Sequence, residues 1–155
     1  MANESLVTPF RFGFMSLERN LEGFTEEEAL RRPEPGGNCA NWLVGHLLAY
    51  RDRTHQLLGL APAWPERFGD PAAYKRGGDG AVAAPVPLAD LVAALRTSQE
   101  AVIPALEAVS SARLAEEASN NQTVAGQLGF LALHEGYHSG QVGLLRRVFG
   151  KPGAI

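Results

Sequence analysis

Cysteine is nearly absent: Cys39 is the only one. That excludes an internal disulfide and a thiolate-rich zinc site, and it fits a reducing, cytoplasmic setting. Charge of one sign is never concentrated. The 14 basic and 17 acidic residues give a formal net charge of −3, with no block of five like charges. Nucleic acid is therefore excluded as a partner, since binding it rests on a concentrated basic face. Long apolar runs are missing too: nowhere do 18 apolar residues follow one another, and the first residues lack a leader-like apolar stretch. No membrane partner is expected. Period-two alternation and internal repeats are also lacking, which removes the β-rich and solenoid architectures.

What is present is helical. The 155 residues are the usual span of one domain, and 45% hydrophobic residues suffice for one core. Phe10, Phe14, Leu17, Leu21 and Phe24 recur at spacings of four and three, one apolar stripe of a first helix with Pro9 near its start. Thr25 to Glu28 form a capping-box pattern that opens a short turn. Asn38 or Asn41 can cap a second helix that runs to Leu58 and closes at Gly59. Residues 59–87, rich in proline and glycine, form a long crossover loop. Leu88 to Val109 give a third helix, which Pro104 should kink, and after a broken stretch Thr123 caps a fourth that continues to Phe149. The expected fold is all-α: a four-helix bundle with a long crossover loop, one domain over residues 1–155.

The fourth helix contains His134-Glu135-Gly136-Tyr137-His138. Two histidines four apart point to one helix face, within about 40° of each other, so both rings reach one metal. Gln127, Leu131, His134, His138, Gln141 and Leu145 share that face, which the bundle should bury. Gln141 is placed to orient a ligand or a bound water. Paired histidines also occur at surfaces or in hydrogen-bonded cores, so the pair alone does not decide the matter. His46 lies on the apolar side of the second helix, flanked by Leu43, Leu47 and Tyr50, where an imidazole needs a partner that coordination would supply. His55, nine residues on, points the opposite way and reads as a solvated surface residue. Trp42, Tyr50, Trp64 and Tyr137 read as plain core or as the walls of a pocket, with no role assigned, and Glu135 as a general base or a surface residue.

His-Glu-x-x-His is also the motif of zinc proteases, with Glu135 as base. Those enzymes take a third ligand downstream, and between Ser139 and Ile155 there is no His, Asp, Glu or Cys; Leu144 stands where the extended motif needs histidine. That gap, and the lack of strands for a substrate-binding sheet, argue against a peptidase.

Asn41-Trp42-Leu43-Val44-Gly45-His46-Leu47 and His134-Glu-Gly-Tyr-His138-Ser-Gly-Gln141 together resemble the DinB-like superfamily of four-helix metalloenzymes, which includes YfiT-like proteins. The resemblance extends over nearly the whole chain. It implies a three-histidine site of His46, His134 and His138 for a divalent transition metal (zinc, nickel, iron or manganese), often in a homodimer. Three ligands leave coordination positions open, as in catalytic zinc sites. The implied activity is that of a metal-dependent transferase or hydrolase acting on a small molecule, with a low-molecular-weight thiol as a candidate cofactor. Ser139 stands where many relatives have arginine, so no anion contact is carried over from that position. The alternative is a stress-related helical binding protein, with or without metal, that catalyses nothing.

Overall fold

The computed structural model describes residues 3–75, 82–119 and 121–155. In chain order the helices are α1 (Glu4–Leu21), α2 (Glu26–Leu30), α3 (Ala40–Leu58), α4 (Ala72–Lys75), α5 (Leu88–Ala108), α6 (Ser111–Ala115) and α7 (Val124–Val148). A short antiparallel pair, β1 (Glu117–Ser119) and β2 (Gln122–Thr123), precedes α7. The four long helices form the expected all-α bundle, α1 packing on α5 and α7, and α3 on the same two.

Local chemistry accounts for most of the boundaries. Thr25 and Glu28 complete the capping box of α2, each side chain accepting from the other's backbone amide. Thr123 Oγ1 accepts from the Gly126 amide and starts α7. Gly59, with φ of 72°, adopts the left-handed conformation that ends α3. Neither asparagine caps α3: Cys39 Sγ accepts from the Trp42 amide, while Asn41 is buried and donates to the Val86 carbonyl at 2.8 Å. α1 begins at Glu4 and ends at Leu21, so Pro9 lies inside it and Phe24 beyond it.

Contacts along the helices give their directions. His46 meets His134 while Arg53, further along α3, meets Gln127, so α3 and α7 are antiparallel. Asn41 meets Val86 just before α5 and Arg51 meets Gln99 within it, so α3 and α5 run parallel. Parallel neighbours need a connection that returns the length of the bundle, and residues 59–87 make it. That segment includes the turn Glu66–Phe68 and α4, and its residues 76–81 lie outside the described residues.

The core falls into two apolar clusters, one around Leu17, Leu43, Leu91 and Val142, the other around Phe10, Leu57, Val102 and Leu128. Between them lies a buried polar layer. The Arg51 guanidinium pairs with both carboxylate oxygens of Glu135, Nη2 to Oε2 at 2.8 Å, and donates to Gln99 Oε1 at 2.7 Å. Gln99 in turn donates to the Phe10 carbonyl at 3.2 Å. All four long helices are thus joined through one cross-section.

This layer corrects two expectations. Glu135 is not at the surface but in a buried ion pair, turned to Arg51. His55 is only 5% exposed, because α5 and the chain after Gly59 pack over the side of α3 that points away from His46. Its ring bonds the Ala61 carbonyl and Ser98 Oγ, the latter at 2.8 Å.

A histidine cluster as candidate metal centre

His46 comes from the middle of α3, His134 and His138 from one face of α7, and their Nε2 atoms converge. His134 Nε2 lies 3.0 Å from His46 Nε2 and 3.1 Å from His138 Nε2, and all three ligand atoms fall within 4.8 Å of one another. Among the described residues, no carboxylate or thiol joins this group. His46 and His138 are buried and His134 is half-buried.

The outer nitrogens explain the convergence. His46 Nδ1 donates to the Tyr74 carbonyl at 2.6 Å, and His138 Nδ1 donates to Gln141 Oε1 at 2.6 Å. With the protons on Nδ1, both Nε2 atoms present lone pairs to the centre. A proton on His134 Nε2 can bridge to only one of them, leaving another nitrogen pair in contact with nothing between. One cation would satisfy all three. Nitrogens bound at about 2.1 Å in a tetrahedral site lie about 3.4 Å apart, between the two short separations here and the 4.8 Å that bounds all three. The residues therefore fit a divalent transition metal.

Electrostatics keep the site unprotonated. Burial lowers the basicity of all three rings, and His134, which also feels His138 and His46, is pushed down to about 4 from an ordinary 6.5. Neutral imidazole is the form that ligates metal.

Aromatic rings enclose the cluster. Trp42 stacks on His46 with centroids 4.5 Å apart, and Tyr50 lies 4.6 Å from His46 and 4.8 Å from His134. Tyr137, expected in the core, is 62% exposed, and its hydroxyl accepts from Gln141 Nε2 at 3.4 Å. Trp64 is buried as expected, its indole donating to the Gly69 carbonyl.

Sequence reasoning placed Gln141 on the site face, and the structure brings it to His138. Tyr74 was missed, because a carbonyl delivered from an irregular segment has no residue-type signature. Its one trace is Gly45, the helical glycine beside His46: a Cβ there would lie 2.1 Å from the Tyr74 ring.

A four-helix bundle carrying three inward imidazoles across two antiparallel helices defines a class of candidate metal-binding proteins. A sequence profile of the DinB superfamily matches residues 10–142, which include all three histidines, and the chain belongs to that superfamily. The fold is similar to a crystal structure of a conserved protein from Enterococcus faecalis, with a TM-score of 0.77 at 20% identity over 96% of this chain and 98% of that one. No match is found among functionally curated proteins. No described helix is long and apolar enough to cross a membrane.

Proposed function

We propose that His46, His134 and His138 bind one divalent transition metal and that the chain is a metal-dependent enzyme acting on a small molecule. The observation that carries this reading is the convergence of three Nε2 atoms whose Nδ1 partners, where present, turn the lone pairs inward. Such a metal acts as a Lewis acid and lowers the pKa of a bound water or thiol. The protein's own groups orient the ligands: Tyr74 holds His46, Gln141 holds His138, and Trp42 and Tyr50 restrict the rings. Transfer involving a low-molecular-weight thiol is the reading we favour, on the strength of the family resemblance, with hydrolysis as the alternative.

Elemental analysis of protein purified without added metal tests the centre. About one zinc, nickel, iron or manganese per chain is expected. It should be lost in His46→Ala and His138→Ala and kept in His55→Gln, which removes the fourth imidazole. A wild type that stays empty after incubation with zinc and with nickel would sink the proposal.

We also propose a homodimer. Phe130, Leu133, Tyr137 and Leu144 are more than half exposed and share one face of α7. A self-complementary apolar face suits a two-fold contact between copies. Sedimentation should give a dimer, converted to monomer by Leu133→Glu with Leu144→Glu. A monomeric wild type would refute it.

A further inference from the structure

Two helical turns from the histidines, the α3–α7 seam holds polar side chains that the metal centre does not use. Arg53 follows His46 by seven residues and Gln127 precedes His134 by seven, which displaces both in the same direction by about 10 Å. Arg53 Nε and Nη2 donate to Gln127 Oε1 at 3.0 and 2.6 Å, Nη2 also to Ser119 Oγ at 3.2 Å, and Nη1 to Gln56 Oε1 at 2.7 Å. Gln127, itself buried, is held by the Ser119 carbonyl and hydroxyl. Ser119, at the end of β1, thus buttresses the arginine.

Every one of these acceptors is neutral. Among the described residues no carboxylate pairs with Arg53, and neighbouring Asp52 accepts from the Ala63 and Trp64 amides instead. A half-buried guanidinium with only neutral acceptors keeps its charge unbalanced. It lines a cleft of about 440 Å³ together with Tyr50, Ser119, Gln122, Gln127, Phe130 and Leu131, and among the described residues it is the only charged one there. The cleft adjoins the histidines, since Tyr50 and Phe130, two of its walls, lie 4.8 and 6.2 Å from the His134 ring. Its volume suits a small organic ligand.

We infer that this cleft binds the carboxylate end of a small organic acid, with Arg53 as its counter-ion and Tyr50 and Phe130 flanking its carbon chain. The inference rests on the proposed metal centre, where the acid's other end reacts. One guanidinium matches one carboxylate. Nη1 retains a second N–H beyond its bond to Gln56, and Gln56 is exposed and yields to an incoming anion.

The test uses cobalt(II)-loaded protein titrated with a length series of ω-mercaptoalkanoates, each beside the uncharged ω-mercaptoalkanol of equal length, read from the thiolate-to-cobalt absorption. At the length that bridges the two sites, the acid should bind about tenfold tighter or more. Arg53→Gln should abolish that preference without changing cobalt content or alkanol affinity, and Arg53→Lys should retain part of it. Equal binding of the two series by the wild type, or a preference that survives Arg53→Gln, overturns the inference. Cobalt content of the same samples reports separately on the metal centre. Protein that takes up no cobalt is titrated instead with hexanoate and hexanol, following the Gln127 side-chain amide by NMR, and the same two criteria decide.

Discussion

At the scale of single residues, the candidate centre depends as much on what holds each imidazole as on the imidazoles themselves. Gln141 fixes both the tautomer and the plane of His138 through one 2.6 Å bond. Removing such a support commonly weakens a metal site by about ten- to a hundredfold. Gln141→Ala should therefore keep the fold and lose that much zinc affinity in competition with a chromogenic chelator, while Gln141→Glu should restore it. Unchanged affinity in the alanine variant would mean that His138 is positioned by packing alone. The convergence of the three candidate ligands was legible in the sequence because the i, i+4 spacing and the apolar flanks of His46 are properties of single helices. His55 was misread for the converse reason: angle around a helix says which way a ring points, but not what lies over it.

At the scale of elements, the Arg51–Glu135–Gln99 layer separates the two apolar clusters and ties α3, α5 and α7 to α1. Its charges are buried, with the Arg51 side chain 0% and the Glu135 side chain 8% exposed. Deleting one partner strands the other without solvent. Arg51→Ala and Glu135→Ala should each cost about 3–5 kcal/mol in urea unfolding, whereas Arg51→Met with Glu135→Leu should cost far less. Equal losses in single and double variants would show that packing, not charge, governs the site. If the layer also sets the register of α3 against α7, the double variant should fold yet bind metal less tightly. The helices were readable because each long one has an apolar stripe of helical period. The β1–β2 pair was not, since strands of two and three residues carry no alternation to detect. The hairpin's use emerged only with Ser119 against Arg53 and Gln127.

At the scale of the whole molecule, the histidine centre makes stability depend on pH. The folded protein resists protonating His134 until about pH 4, whereas an unfolded imidazole accepts a proton near 6.5. The unfolded state thus binds more protons between those values, and the histidine's contribution to stability is complete above 6.5 and lost as pH falls towards 4. Metal-free wild type should lose melting temperature across this window faster than His134→Gln, because carboxylate titration common to both cancels in the difference. Parallel curves would show that the ring is freely protonated in the fold. The helical bundle and the long connection between α3 and α5 were legible from breaker-rich composition and helix length. The path of that connection was not, because its anchor is a ring seated on a glycine.

Tyr74 also acts as a latch between chain order and ligand chemistry. Its ring rests on Gly45, its hydroxyl bridges Asn41 Oδ1 and the Val86 amide, and its carbonyl receives His46 Nδ1–H. Pinning a long connection at an interior point costs loop entropy, on the order of 2 kcal/mol for a span of this kind, which these contacts must offset. Whatever steadies the His46 ring from its inner side also steadies the carbonyl on its outer side. The two equilibria are consequently linked in both directions: a metal bound at the histidine centre would tighten the latch, and loosening the latch, as an alanine at position 45 would, should weaken that metal's binding by the same factor.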